Sequence, residues 1–110
     1  MNIIAQLGRI SSDLELKTGK SGKEYLGFSL AVNRPFAKDK TDFFSVVAFG
    51  TNAEFIAKYF KKGQLIGIQG YLISDDYVDS NGVKHYQTKI VANQVSFAGY
   101  NKNDTVTDNQ

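Results

Sequence analysis

The order of the predicted secondary-structure elements is that of a small, mainly β barrel. Three strands come first, a single helix follows, and two further strands complete a chain of 110 residues. Apolar residues alternate with polar ones in the strands, whereas in the helical segment they recur at i, i+3, i+4 and i+7. A helix between strands three and four of an otherwise all-β domain is typical of the five-stranded Greek-key barrel called the OB fold. The sequence therefore predicts an OB fold.

Composition limits the classes of function that the chain allows. Apolar residues make up 42% of the sequence and the net charge is only +2, so anion binding must depend on local patches. The absence of cysteine excludes disulfides and cysteine catalysis. We find neither a secretion signal nor an apolar stretch near the ~20 residues of a membrane span, and expect a cytoplasmic protein. Residues 1–98 are expected to form one domain, and the polar residues 99–110 a disordered tail.

Residues 2–10 form the first predicted strand, which is apolar on both faces around Ile3, Ile4 and Leu7. Such a strand is buried on both sides, either inside the fold or against a second subunit. Gly8 indicates a bulge or a close approach of another backbone.

The basic loop over residues 11–23 carries Lys17, Lys20 and Lys23. Around Lys20 it superficially resembles a phosphate-binding loop, but that motif requires a glycine where Leu14 stands. We therefore reject a nucleoside triphosphate site. The lysines either are solvated in a hairpin loop or contact the phosphates of a ligand.

Residues 24–33 alternate as a half-buried strand. The apolar face consists of Leu26, Phe28, Leu30 and Val32. Small residues such as Gly27 and Ser29 on the other face leave room for a ligand across the sheet. Pro35 ends the strand because proline lacks a ladder donor. Phe36 then lies in a polar loop, where it is either packed into a small cluster or exposed for binding.

The strand predicted over residues 42–49 carries phenylalanine on both faces. One face holds Phe43, Ser45, Val47 and Phe49, and the other holds Phe44, Val46 and Ala48. Alternation alone does not say which face is the core. If the first face is exposed, its two rings and the nearby lysines form a platform on which unpaired bases stack.

The next segment is predicted to be a helix with recognisable ends. Thr51 and Glu54 are spaced as a capping box, and Gly63 is placed for a left-handed C-cap. The apolar stripe of the helix consists of Ala53, Ile56, Ala57 and Phe60. Lys61 and Lys62 either complement the negative end of the helix dipole or contact a nucleic acid.

Two further strands, over residues 64–74 and 86–97, flank a hairpin arm over residues 75–85. Asn81-Gly82 is the strongest short signal for the tip of such a hairpin. The predicted core face of the first of these strands holds Ile66, Ile68 and Leu72.

Taken in order, the motifs of the chain resemble the bacterial and phage single-stranded DNA-binding protein family over residues 1–98. The motifs are Leu7-Gly8-Arg9-Ile10, the stretch from Asp13 to Leu16, Phe28-Ser29-Leu30-Ala31-Val32-Asn33-Arg34-Pro35-Phe36, Thr41-Asp42-Phe43, Val46-Val47-Ala48-Phe49-Gly50, Tyr59-Phe60-Lys61-Lys62-Gly63, Gly70-Tyr71-Leu72, and the arm from Tyr77 to Tyr86. The blocks in this order are far more specific than any one of them.

The resemblance implies sequence-nonspecific binding and protection of single-stranded DNA during replication, recombination or repair, without catalysis and without a cofactor. It places the family's four base-stacking positions on Phe36, Phe43, Phe49 and Tyr77, and thus leaves Phe44, Val46 and Ala48 inside. Some members carry tryptophan at these positions, so we expect the smaller rings to stack more weakly, within a usual range of ~1–3 kcal/mol per base. The cationic residues expected along the DNA backbone are Arg9, Arg34, Lys17, Lys20, Lys23, Lys61, Lys62 and Lys84.

Two departures from the family pattern qualify the resemblance. Asp75 and Asp76 stand at the start of the arm, where many members carry basic residues, and should repel phosphates. The family's Gly/Gln-rich linker and acidic C-terminal tip are absent from the sequence, which ends Asp108-Asn109-Gln110. We therefore do not expect recruitment of enzymes through such a tip.

The oligomeric state, the bound nucleic acid and the functional class each have an alternative interpretation. The family forms homotetramers in which the first strand pairs between subunits. The alternative is a dimeric replication-restart adaptor that is similar to primosomal replication protein N and acts mainly through protein contacts. RNA is an alternative ligand because stacking does not depend on the sugar. A nuclease is disfavoured because its hard metal would need clustered carboxylates, and a solvated turn explains the group formed by Asp75, Asp76 and Asp79. His85 is the only histidine, which disfavours a histidine-rich metal site.

Overall fold

A computed structural model describes residues 1–37 and 39–98 of the chain. In chain order the elements are β1 (Ile4–Ile10), β2 (Lys17–Thr18), β3 (Glu24–Asn33), β4 (Thr41–Phe49), α1 (Gly50–Tyr59), β5 (Leu65–Ser74), β6 (Tyr77–Val78), β7 (Lys84–His85) and β8 (Thr88–Phe97). The tail predicted over residues 99–110 lies outside the described residues.

The five long strands close into a barrel. The strand order of the main sheet is β1-β5-β8-β4-β3-β2, and β1 also pairs with β3, which joins the two ends. The closing pairs are Arg9 with Ala31 and Ile10 with Leu30. β4 and β8 run parallel, whereas the other neighbours in the sheet are antiparallel. With α1 between the third and fourth long strands, this is the OB fold that the sequence predicts.

The two faces of β4 have opposite environments. Val46 and Ala48 are buried and Phe44 packs against the core, whereas Phe43 and Phe49 are exposed. Alternation left the choice of face open, and the resemblance implied this orientation, which the structure confirms.

The helix α1 packs against β3, β4 and β8 with its predicted apolar stripe. Ala53, Ile56 and Phe60 are buried, and Ala57 packs against the core. Full burial of a side chain such as isoleucine stabilises a fold by roughly 1.5–3 kcal/mol, so burial of the stripe favours docking of this short helix on the barrel.

The predicted capping box at the start of α1 is wrong. The N-cap is Phe49, no side chain caps the helix, and Gly50 enters it with a φ of 59°. Thr51 therefore lies inside the helix. The Glu54 carboxyl group hydrogen-bonds with that of Glu24, and this contact, together with burial and like charge, raises the pKa of Glu24.

The predicted C-cap at Gly63 is wrong in its position. The C-cap is Phe60, which is extended and donates its N–H to the Ile56 carbonyl at 3.0 Å. Gly63 does have a positive φ of 94°, but it lies in a turn closed by the Gln64 N–H and the Lys61 carbonyl. The Gly63 N–H donates to the carbonyl of Ile10 at 2.7 Å and so fastens this turn to β1.

Leu72 is also not the core residue that alternation predicts, because it is 41% exposed. Ile66 and Ile68 are buried as expected. The pairing of β5 with β1 ends at Gly70, so Leu72 extends beyond its neighbouring strand. Asn2 continues the contact, with its side-chain amide bonded to both the N–H and the carbonyl of Leu72.

Candidate nucleic-acid interface

A row of side chains crosses β1, β3 and β4 on the outer face of the barrel. The register pairs Arg9 with Ala31, and Ala31 with Phe43. Residues directly opposite each other on neighbouring strands share a face, with Cβ atoms about 4.5–5.5 Å apart. The small side chain of Ala31 thus separates a guanidinium group from a ring that is 64% exposed.

A second row crosses β2, β3 and β4 near the other end of the same face. Lys17 is paired with Tyr25, and Tyr25 with Phe49. The Nζ atom of Lys23 lies 5.7 Å from the centroid of the Phe49 ring, which is within cation–π range. Phe43 and Phe49 are six residues apart, so about 20 Å of strand separates the two rows.

A groove of about 720 Å³ lies against the sheet between these rows. Its floor is formed by Gly27 and Ser29 of β3 and by Ser45 and Val47 of β4. These are the small residues that the sequence placed on the open face of the strand. The groove therefore extends across the sheet from the second row, whose Lys17 and Tyr25 line it.

Phe36 is presented to solvent by a strained turn. The Ala37 N–H donates to the Arg34 carbonyl at 3.3 Å, which places Pro35 second and Phe36 third in the turn. Phe36 has a φ of 65°, a conformation that glycine usually supplies at this position of a type II turn. The ring is fully exposed, so the alternative of a packed satellite cluster does not hold.

Tyr77 lies on the arm formed by β6 and β7. Its ring stacks on the imidazole of His85, with centroids 4.8 Å apart and planes 14° from parallel. The His85 Nε2 is 2.7 Å from Asp79 Oδ2. This contact lowers the pKa of Asp79 most, and hydrogen bonds from the N–H groups of Val83 and Asn81 lower it further. The arm thus holds the tyrosine ring from one side.

Arg34 is engaged by a neighbouring carboxylate. Its Nε and Nη2 donate to the two carboxylate oxygens of Asp42 at 3.2 and 2.6 Å. This bidentate pair raises the pKa of Arg34 and lowers the pKa of Asp42. Arg34 has to share or leave this pair to bind a phosphate.

Three further cations also have partners within the chain. Arg9 donates from Nη1 to the Gly63 carbonyl at 3.0 Å, and the Lys17 Nζ lies 3.7 Å from a Glu15 carboxylate oxygen. The Lys84 Nζ lies 5.0 Å from the centroid of the Tyr86 ring. The remaining lysines of the predicted set are exposed, namely Lys20, Lys23, Lys61 and Lys62.

The structure brings only part of the predicted set together. Phe43, Phe49, Arg9, Lys17 and Lys23 belong to the two rows. Phe36 and Arg34 lie on the loop after β3, and Tyr77 and Lys84 lie on the arm. Lys61 and Lys62 follow α1 in the turn that Arg9 contacts.

The acidic start of the arm is partly neutralised. Asp75 Oδ2 lies 2.9 Å from the Nζ of Lys89, and this contact, with a hydrogen bond from Gln87, lowers the pKa of Asp75. Asp76 accepts the backbone N–H of Gln87. The repulsion expected from this aspartate pair is therefore reduced at Asp75.

Tyr25 is a residue of this surface that sequence reasoning did not assign to the site. Its alternation placed it on the open face, but its partner Phe49 is distant in sequence. Only the register of β3 against β4 shows that the two rings are neighbours. Lys89, which lines the groove between the rows, was missed for the same reason.

The described residues contain neither a cluster of metal-ligating side chains nor a membrane-spanning helix. In residues 1–37 and 39–98, no three histidine, cysteine or acidic side chains gather as metal ligands would. Within the same ranges, no helix is long and apolar enough to span a membrane.

Exposed aromatic rings and basic side chains on one face of an OB barrel define a surface for unpaired nucleic acid strands. Comparison with known proteins agrees with this class. The model of the Single-strand binding protein family matches residues 1–98, and the chain belongs to that family.

Several curated bacterial proteins named single-stranded DNA-binding protein are similar to the chain. Identity to that of Fusobacterium nucleatum is 45% over 103 residues, covering 88% of this chain and 66% of the relative. Identity to that of Clostridium tetani is 42% over 101 residues, with 88% and 70% covered. For Staphylococcus aureus it is 36% over 113 residues, with 98% and 72% covered. The chain thus spans about two thirds of the length of these relatives.

Proposed function

We propose that this protein binds and protects single-stranded DNA without sequence preference, during replication, recombination or repair in the cytoplasm. The observation that carries the proposal is the division of β4, which buries Val46 and Ala48 and leaves Phe43 and Phe49 in solvent. Phe43 is 64% exposed and Phe49 is 42% exposed, so both rings offer surface outside the core. Their place between basic residues is that of a stacking platform.

The binding is physical and involves no bond making. Bases stack on Phe36, Phe43, Phe49 and Tyr77, while the cations predicted along the backbone contact phosphates. Because every base has a π face, such stacking tolerates any sequence. The bound strand is kept from reannealing and from nucleases.

We further propose that the protein works as a homotetramer built through β1. Along Ile4–Gly8 this strand pairs with β5 only, since its pairing with β3 is confined to Arg9 and Ile10. Its other edge is open in the described chain, and Ile3 and Leu7 beside it are exposed. A second copy that adds its own β1 would cover both the edge and the apolar side chains. A dimer would instead agree with the adaptor alternative.

Titration of a fluorescent oligo(dT) at rising salt tests the function. Each phosphate that the protein neutralises releases counterions, so we expect the logarithm of the affinity to fall linearly with the logarithm of the salt concentration. Binding that does not respond to salt would contradict the proposal.

Competition among oligo(dT), oligo(U) and duplex DNA on the same protein defines the ligand. We expect oligo(dT) to displace the probe well and duplex DNA to displace it poorly, because paired bases do not offer their faces for stacking. A preference for the duplex would overturn the proposal. A preference for oligo(U) would move it to RNA.

A further inference from the structure

Tyr25 continues the stacking platform beyond the four positions named above. It lies directly opposite Phe49 and beside Lys17 in the register of β2, β3 and β4. A Cβ built on Gly19 would lie 3.9 Å from Cε1 of Tyr25, so the turn after β2 lies near one edge of the ring. The ring is 36% exposed and stands at one end of the groove.

The groove that Tyr25 borders is large enough to admit a base. Its volume of about 720 Å³ falls within the ~300–1,000 Å³ of small-molecule pockets. The floor stays open because Gly27 has no side chain, and a Cβ there would find Val46 O as its nearest neighbour at 3.7 Å. Ser29 and Ser45 add hydroxyl groups to the same floor.

The charges around the groove favour a base over a phosphate. Asp13 and Glu15 are among the lining residues, and their carboxylates repel a phosphate group. Lys17 and Lys89 line the groove as well, and their amines, which contact Glu15 and Asp75, have to share these partners to bind phosphates. A neutral base between these walls, with its phosphates directed towards the two amines, satisfies both signs of charge.

We propose that Tyr25 is a fifth base-stacking residue, and that the groove beside it receives a base of the strand that passes between Phe49 and Phe43. The inference rests on the proposed function, because it assumes that single-stranded DNA crosses this face. It adds a position that the family's four aromatic sites do not include. The base in the groove then lies between those two rings, which are about 20 Å apart.

The affinity of Tyr25→Leu for oligo(dT) tests the ring directly. We expect the loss of one stacked base to weaken binding by roughly fivefold or more. Tyr25→Phe should stay within about twofold of the unsubstituted protein, since it keeps the ring and loses only the hydroxyl group. Tyr59→Leu is the matched control, because Tyr59 is an exposed tyrosine of α1. If Tyr25→Phe loses as much affinity as Tyr25→Leu, stacking is not the role of this residue.

Gly27→Val tests the groove independently of the ring. Valine is favourable in strands, and the open space above Gly27 accepts it, so the barrel should keep its melting temperature. Its methyl groups occupy the floor of the groove, and we expect oligo(dT) binding to weaken severalfold. Unchanged affinity in this folded variant would overturn the groove as a binding site.

Photocrosslinking of the unsubstituted protein to bromouracil-containing DNA tests whether a base contacts Tyr25, even if the Tyr25→Leu variant does not fold. We expect an adduct on Tyr25 as well as on Phe43. Trypsin leaves Tyr25 and Phe36 in one peptide. Fragmentation of that peptide in the mass spectrometer is therefore needed to locate the adduct. An adduct on Phe43 without one on Tyr25 overturns this inference alone. A protein that fails to bind oligo(dT) at all overturns the proposed function instead.

Discussion

At the scale of single residues, Phe43 and Phe44 are neighbours with opposite environments. The first ring is in solvent and the second packs against the core. A strand alternates its side chains in this way whenever one face is buried. The pair therefore offers a matched comparison between binding and stability.

Phe43→Ala should weaken oligo(dT) binding by at least a few-fold while leaving the melting temperature nearly unchanged, because it removes a stacking ring without opening a cavity. Phe44→Ala should do the reverse, since loss of a packed phenylalanine costs up to about 3–5 kcal/mol of folding free energy. Fluorescence titration and thermal melting measure the two effects. A large drop in melting temperature for Phe43→Ala would mean that Phe43 is a core residue.

Asp42→Asn should strengthen binding of single-stranded DNA, because it releases Arg34 from its bidentate partner. One more available cation makes the slope of log affinity against log salt steeper by about 0.7 for a single strand. The double variant that also carries Arg34→Gln should lose this gain. An equal gain in the single and double variants would mean that the effect is general electrostatics and not Arg34.

At the scale of elements, the arm depends on one carboxylate. Asp79 Oδ1 accepts the N–H groups of Asn81 and Val83, at 2.9 and 3.0 Å, and Oδ2 contacts His85. Gly82, with a φ of 80°, completes the turn and confirms the predicted tip. These contacts lower the pKa of Asp79. They therefore stabilise the tip fully at pH values above 3.8, the ordinary pKa of an aspartate. The contribution is lost as the pH falls through the depressed value.

Asp79→Ala should speed amide hydrogen exchange at Asn81 and Val83 at neutral pH, because both donors lose their acceptor. Ser80→Ala, at an exposed neighbouring position, is the control and should leave both rates unchanged. Nuclear magnetic resonance resolves the individual amides. Equal protection of Val83 in the Asp79→Ala variant would contradict the capping role of the carboxylate.

Two strand glycines should respond differently to an added methyl group. A Cβ on Gly70 would lie 1.8 Å from the Val91 carbonyl oxygen, whereas one on Gly27 would meet nothing closer than 3.7 Å. The register shift beside Gly70 marks this close approach of β5 to β8. We expect Gly70→Ala to lower the melting temperature by about 5 °C or more, at roughly 4–8 °C per kcal/mol for a domain of this size. Gly27→Ala should change the melting temperature little. Equal melting temperatures for the Gly70→Ala and Gly27→Ala variants would contradict the close approach of β5 to β8 at Gly70.

At the scale of the whole molecule, the open edge of β1 governs assembly. Leu7 is 55% exposed beside it. Leu7→Asp places a charge on the proposed subunit contact, and we expect native mass spectrometry to show a smaller assembly. Val83→Asp, at an exposed position of the arm, should keep the assembly of the unsubstituted protein. If Leu7→Asp retains a tetramer, the contact lies elsewhere.

Local patterns predict most of the fold because burial repeats with the period of each element. Alternation identifies the buried face of β3, and the spacing from Ala53 to Phe60 identifies the helix and its inner stripe. Phe49 could not be identified as the N-cap, because the chain enters α1 through the positive φ of Gly50 instead of through a side-chain cap. Leu72 was misjudged because its exposure depends on where β1 stops pairing.

The site is less predictable than the fold, because it depends on which strands are neighbours. The resemblance placed Phe36 and Tyr77 in the set, but alternation gave no reason to join Tyr25 to Phe49. Likewise, the charge of Arg34 is visible in the sequence, whereas its engagement by Asp42 follows only from the register of β3 and β4. Contacts between distant residues carry this information.

The pairing of β1 with β5 also has a consequence for how the chain folds as it is made. Leu7 lies opposite Gly67, so β1 leaves the ribosome sixty residues before its partner does. At synthesis rates of about 5–20 residues per second, that delay is roughly 3–12 s. Local pairs such as β3 with β4 have less chain to wait for, and non-local pairing is slow in any case. Until the barrel closes, Ile10, which is buried in the finished fold, is exposed on the nascent strand, and the unpaired strand is prone to aggregation during this period.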